Sequence, residues 1–167
     1  MNTGVQTSTA TPYGAITTTN PAGKKTVAKD LIGIIAAHNS PYVATASLAF
    51  LDDFRDKIKK ARDTKGFRLI MVDGPCPPGQ KYPPELSIEL SRMAVNSKLF
   101  PLYEIADGKY TITYSPKKEI PVEECLKLQG RFSHLFKNGS QSILNDIQQQ
   151  TNANWKKLLK QEEWSNE

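Results

Sequence analysis

Residues 67–74 read FRLIMVDG, a near-continuous apolar run between Gly66 and Gly74. A run of this kind, without alternation, predicts a β-strand covered on both faces, as strands are in a parallel sheet. The element before it fits that reading. Residues 50–66 (FLDDFRDKIKKARDTKG) carry Phe50, Phe54, Ile58 and Ala61 at helical spacing and predict an amphipathic helix. Arg55, Lys57, Lys59, Lys60 and Arg62 then fall on its water-facing side. Asp52 and Asp53 lie in the first turn, where the helix dipole favours negative charge, and Gly66 supplies the stop. Further upstream, residues 42–47 (YVATAS) predict a short buried strand. Residues 28–39 predict a helix capped by Thr26, with Leu31, Ile34 and Ile35 turned inward. Helix, strand, helix and strand in alternation imply an α/β layered fold.

Downstream, PCPPGQKYPP (75–84) is a stiff loop with prolines at 75, 77, 78, 83 and 84. A helix follows, with Pro84 in its first turn and Leu86, Leu90, Met93 and Val95 among its apolar positions. Residues 99–116 read as a β-hairpin turning at Asp107-Gly108, between Ile105 and Tyr110. A proline-containing linker leads to a short helix broken at Gly130, and a polar amphipathic helix occupies residues 140–164. Its sparse apolar positions, Ile143, Ile147, Trp155, Leu158 and Leu159, predict light packing or a partner. The organisation expected is an α/β portion over 1–115 and a helical extension over 116–167.

Composition bounds the function. The chain has 167 residues, 38% hydrophobic, enough for one core. A net charge of +5 falls short of the dense basic clustering of a nucleic-acid binder, and the basic helix at 55–65 is explained as a solvated face. No apolar run approaches the ~20 residues of a membrane span. Only two cysteines and no visible export signal argue against a disulfide framework and point to the cytoplasm. Residues 1–25 show neither helical nor strand periodicity; Pro12, Gly14, Pro21 and Gly23 punctuate them as loop.

Two segments could carry chemistry. Cys76 lies in Pro75-Cys76-Pro77-Pro78-Gly79, just past the C-terminal end of the predicted strand, where open α/β sheets bind ligands. The prolines fix the backbone, and a Cys-Pro step recurs at iron–sulfur ligands; a buried structural thiol is the plainer alternative. Cys125 reads as core, and His38 and His134 as structural. Asp52, Asp53, Glu123 and Glu124 read as helix-dipole partners. The opening loop places Asn2, Thr3, Gln6, Thr7, Ser8, Thr9 and Thr11 along a backbone that Gly4 leaves open to close approach, a surface for a diphosphate or small carboxylate.

Taken together, five segments resemble one family. Asn2-Thr3-Gly4-x-Gln6-x-Ser8-x-x-Thr11-Pro12-x-Gly14-Ala15 is similar to the thiamine-diphosphate loop of the beta subunit of pyruvate:ferredoxin oxidoreductase, within the 2-oxoacid:ferredoxin oxidoreductases. His38 to Ser47 (HNSPYVATAS), Pro75-Cys76-Pro77-x-Gly79, Leu99 to Glu104 (LFPLYE) and Leu126 to Phe132 (LKLQGRF) extend the resemblance over roughly residues 1–136.

The resemblance implies the C-terminal part of a doubly wound thiamine-diphosphate-binding α/β domain, with a β-hairpin and C-terminal helices. It implies thiamine diphosphate, Mg²⁺ and one 4Fe–4S cluster as cofactors. Asn2 would contact the cofactor, Thr3 and Gly4 would line the same pocket, and Gln6 would lie in the loop beyond. Cys76 would be the fourth cluster ligand, the other ligands lying outside this chain. Implied partners are the alpha-, gamma- and delta-type subunits or a separate N-terminal beta piece, ferredoxin, coenzyme A and a 2-oxoacid, with no nucleic acid and no membrane.

The family's Gly-Asp-Gly and Cys-x-x-Cys motifs are absent. The chain is therefore expected to be a fragment or one piece of a split subunit, binding neither cluster nor cofactor tightly alone. The reaction implied is oxidative decarboxylation of a 2-oxoacid, pyruvate before a branched-chain acid, to an acyl-CoA with electrons passed to ferredoxin. A non-catalytic interaction module is the alternative.

Overall fold

The computed structural model describes residues 5–137 and 141–167. Strand β1 (Tyr42–Ser47) is the centre on which the rest is laid: all of its residues are buried. It pairs in parallel with β2 (Arg68–Asp73) on one side. On the other it pairs antiparallel with β3 (Leu102–Ala106), which continues through a hairpin into β4 (Lys109–Tyr114). The result is a mixed four-stranded sheet in the order β2-β1-β3-β4. The fold is α/β, as the alternation predicts.

The strand expected to be covered on both faces proves to be an edge among the described residues. Strand β2 is only partly buried along its length, and Val72 and neighbouring Phe67 are exposed. An apolar run marks a strand but carries no information about which side of it is paired.

Helices lie on both faces. Residues alternate across a pleated strand, so Val43 joins Leu69, Met71 and Ile105 on one face. There α1 (Leu31–Ala36) covers them with Ile32, Ile35 and Ala36. This corrects two expectations. The helix starts later, with Asp30 rather than Thr26 capping it, the carboxylate accepting from Gly33 N–H at 2.8 Å. Leu31 and Ile34 are exposed, and Ile32 is the buried residue. A helix of 6 residues is too short for its apolar spacing to fix its phase.

The opposite face, carrying Tyr42, Ala44 and Glu104, is covered by α2 (Leu51–Asp63). Here Lys57, expected in water, is 1% exposed. Its ammonium donates to Thr45 O (2.8 Å), Asp53 Oδ2 (2.8 Å) and Thr113 Oγ1 (2.7 Å). Ile58, expected inward, is exposed instead. Beyond Tyr42 the strand offers only alanines to this helix, and the hollow admits a long side chain whose charged tip finds oxygen atoms. Nearby, Tyr42 O–H donates to Glu104 (2.7 Å), and Lys60 pairs with the same carboxylate. Thr113 is the extra residue of an irregularity in the β3–β4 ladder.

The hairpin turns at Asp107-Gly108 with φ of 48° and 81°. Two successive left-handed residues make the tight turn that matches the twist of paired strands. Helix α4 (Ser87–Asn96) buries Leu90, Ser91 and Val95. Helix α5 (Val122–Lys127) and a 3₁₀ segment (Gly130–Phe136) form a second core cluster with α6 (Gln141–Ser165) around Val122, Leu126, Phe132, Leu135, Leu144 and Ile147.

Helix α6 also closes the β4 edge. Tyr110 N–H donates to Ser165 Oγ (2.8 Å), Ile112 N–H to Glu162 Oε1 (2.6 Å), and Asn166 Nδ2 to Tyr110 O (3.1 Å). Side chains thus stand in for the missing neighbouring strand. Glu162→Ala is expected to cost about 1.5–3 kcal/mol, the range for a hydrogen bond to a charged group, with faster amide exchange at Ile112. Unchanged exchange at Ile112 would remove this role.

Candidate functional site

The polar opening loop is folded, and by polar contacts. Thr7 N–H donates to Thr19 Oγ1 (2.9 Å), Thr7 and Thr17 hydroxyls meet at 2.6 Å, and Ser8 N–H donates to Thr11 Oγ1 (3.0 Å). Gly14 N–H donates to Lys24 O (2.8 Å), and Lys24 N–H returns a bond to Ala15 O (3.1 Å). Lys24 closes the loop: its buried ammonium donates to the carbonyls of Ser8 (2.9 Å), Thr9 (3.0 Å) and Thr11 (2.6 Å). Of the loop residues singled out in the sequence, Gln6 is exposed just before Thr7. Asn2, Thr3 and Gly4 lie outside the described residues.

Cys76 lies past the C-terminal end of β2, half-buried and free. It precedes the short α3 (Pro77–Gln80), and its carbonyl accepts from Gln80 N–H (2.8 Å). Lys81, left-handed at φ 59°, then presents its carbonyl to Gly130 N–H at 2.9 Å. This approach requires glycine: a Cβ at 130 would sit 2.7 Å from Lys81 Cβ and 2.9 Å from Lys81 O.

The residue after that contact is Arg131, 7% exposed. Its Nε donates to Gln129 Oε1 (2.9 Å), and Gln129 Nε2 donates to Cys125 O (3.0 Å). Burial pulls the guanidinium down to about 10, opposed by the fields of Cys125, Asp73, Tyr82 and Cys76; it stays charged at neutral pH. Burial likewise raises the Asp73 carboxyl, against the pull of Ser91 and Arg131. Burial pushes the Cys125 thiol up to about 12, which keeps it neutral and agrees with its reading as core. Ser91 Oγ is buried here without a well-formed hydrogen bond.

The two predicted segments share a strut. Ile16 N–H of the opening loop donates to Arg131 O (3.0 Å), next to the Gly130–Lys81 bond that anchors the Cys76 loop. Arg131, Asp73 and Lys24 were not anticipated as parts of either segment. The available signal was an arginine set among the apolar residues of LKLQGRFSHLF, a pattern that places a charge in a core. His134 is partly buried, its Nδ1 without a hydrogen-bond partner among the described residues and its pKa lowered by burial; His38 is exposed just past the end of α1. Both fit structural readings. Among the described residues no three His, Cys, Asp or Glu side chains gather as a metal site. Cys76 could therefore hold one iron of a cluster but not enclose it.

Over 167 aligned residues, 96% of the chain, the sequence is 44% identical to ketoisovalerate oxidoreductase subunit VorB of Pyrococcus horikoshii. The chain belongs to the beta-subunit family of the 2-oxoacid:ferredoxin oxidoreductases. Within the family it is 50% identical to pyruvate synthase subunit PorB of Methanocaldococcus jannaschii over 140 residues, 81% of the chain and 47% of that protein. It is 40% identical to PorB of Thermotoga maritima over 169 residues, 98% of the chain. The chain spans about half the length of these relatives, 52% of both VorB and the Thermotoga PorB. No protein-family model matches it. Among the described residues no helix is long and apolar enough to cross a membrane.

Proposed function

We propose that this chain is the C-terminal half of a beta subunit that takes part in oxidative decarboxylation of a 2-oxoacid to its acyl-CoA, with electrons passed to ferredoxin. The observation that carries the reading is the identity to PorB and VorB subunits along nearly the whole chain. The half-buried thiol beside a buried arginine supports it: a free thiol held in a proline-braced loop is a suitable iron ligand, and a nearby cation suits an anionic centre.

When bound, thiamine diphosphate with Mg²⁺ supplies the carbanion chemistry and a 4Fe–4S cluster the electron relay. The chain's own part is to hold and orient. Cys76 supplies one thiolate from a loop whose prolines and Gly130 contact restrict its motion. Asn2 contacts the cofactor near its diphosphate or reactive carbon, Thr3 and Gly4 line the same pocket, and Gln6 follows in the loop that Lys24 keeps closed. The remaining ligands come from the other half of the subunit or a separate beta piece. Alpha-, gamma- and delta-type subunits complete a cytoplasmic assembly. Within the chain, residues 1–115 form the cofactor-facing portion and 116–167 an extension packing on it or on a partner.

Pyruvate is the proposed substrate, ahead of a branched-chain 2-oxoacid. The test is anaerobic assembly of the intact gene product with its companion subunits, followed by coenzyme A-dependent reduction of ferredoxin. Pyruvate is expected to give a higher kcat/KM than ketoisovalerate. The reverse order would overturn the substrate, and an iron-loaded complex inert to every 2-oxoacid would overturn the reaction.

A further inference from the structure

Arg131 is the only buried arginine among the described residues. A guanidinium carries five N–H donors. Here Nε is satisfied by Gln129, while the Nη groups form no hydrogen bond or ion pair with any described residue. Those donors are not sealed from water, but a guanidinium this largely buried sits in a low dielectric, where an opposite charge is favoured. Among the described residues no carboxylate forms an ion pair with Arg131: Asp73 acts on it through its field alone, Cys125 is a neutral thiol, and the guanidinium carbon lies 5.1 Å from the centre of the Phe132 ring. Of the two other groups whose fields reach Arg131, Tyr82 and Cys76, Cys76 is the one that can ligate iron, and its loop is bonded to the residue preceding Arg131 through Lys81 O and Gly130 N–H.

We propose that Arg131 is the charge-compensating residue for the cluster held by Cys76, and that its fixed positive charge raises the cluster's reduction potential. The inference rests on the reading of Cys76 as a ligand. A four-thiolate iron–sulfur centre is anionic and gains one further negative charge on reduction. Net charge and hydrogen bonds at the sulfurs are among the levers on its potential. A cation buried in low dielectric stabilises the reduced form more than the oxidised form. Arg131 makes and breaks no bond and keeps its protons. One electron enters from oxidation of the 2-oxoacid and leaves to ferredoxin.

The experiment is an EPR-monitored potentiometric titration of the intact gene product in its anaerobically purified complex. The iron and the signal that Cys76→Ser removes define the cluster in question. In Arg131→Met the equilibrium constant for one-electron reduction of that cluster is expected to fall at least tenfold, a shift of ~59 mV to lower potential. Arg131→Lys, which keeps the charge, is expected to lie within threefold of the unmodified protein. Arg131→Gln is titrated alongside, so that a packing failure of the methionine variant still leaves a neutral side chain to decide. Neutral variants within threefold of the unmodified protein would overturn the proposal, as would a lysine variant shifted as far as they are. A changed KM for 2-oxoacid or coenzyme A with the potential unmoved would assign the arginine to a ligand instead, and overturns it too. Failure of the underlying reading is separate: Cys76→Ser would retain the full iron content and signal.

Discussion

Lys57→Ala is expected to destabilise the chain by about 3–5 kcal/mol, the range for breaking a buried charged pair from one side. For a protein of this size that lowers the melting temperature by on the order of 10 °C. All three ammonium hydrogens are used, on Thr45 O, Asp53 and Thr113, and the side chain is 1% exposed. Burial lowers its pKa, and the hydrogen bond and charge of Asp53 oppose that. Alanine would leave a cavity between α2 and the sheet, an acceptor on β1 without its donor, and the Asp53 carboxylate without its cation. Lys57→Met fills the same space without charge and is expected to cost less than half as much. Denaturant unfolding of the three proteins checks both numbers. An alanine variant within ~1 kcal/mol of the parent would show that water replaces the ammonium, and that the buried network is not what joins α2 to the sheet.

The second large effect is expected at Lys24. Among the described residues its ammonium meets no carboxylate; three backbone carbonyls of residues 8, 9 and 11 share the charge. A hydrogen bond to a charged group contributes about 1.5–3 kcal/mol. Water can enter once the loop opens, so the cost of Lys24→Met is placed at roughly 2–4 kcal/mol, felt as local opening. Amide exchange of peptides covering residues 5–29 reads this directly. Protection of Gly14 and Lys24, whose N–H groups bond across the loop, is expected to fall by two orders of magnitude or more, while β1 and β3 exchange as before. Equal protection in both proteins would mean that the threonine hydroxyls hold the loop unaided.

These two lysines also show where a linear reading stops. Strand β1, helix α2, strand β2 and the hairpin were legible because each has a period or a turn residue that local sterics enforce. An amphipathic pattern sorts residues by type and so puts Lys57 in water; its burial follows from Ala44 and Ala46 on the facing strand, which the helix's own sequence cannot reveal. The spacing of Asp53 and Lys57, one helical turn apart, was the available hint. Three apolar residues are too few to fix the phase of helix α1, and Ile32, Ile35 and Ala36 share its inner face. The opening loop shows no periodicity because its order comes from side chain-to-backbone bonds between positions ten or more apart. Cys76 stands out as a candidate from its prolines and its place past β2, but those alone leave a structural thiol as the plainer reading. The arginine beside it could not, because the two are brought together by a glycine contact across some fifty residues of chain.

The two borders of the sheet have different fates. One is capped at Tyr110 and Ile112 by Ser165, Glu162 and Asn166, which hinders another strand from pairing with β4. The other is β2, which among the described residues has no second neighbouring strand and runs beside exposed Phe67 and Val72. A sheet with a single adhesive side stops growing after one addition. Two copies meeting β2 to β2 would make a closed pair with both outer borders already capped, and an open-ended fibre would require α6 to peel away first.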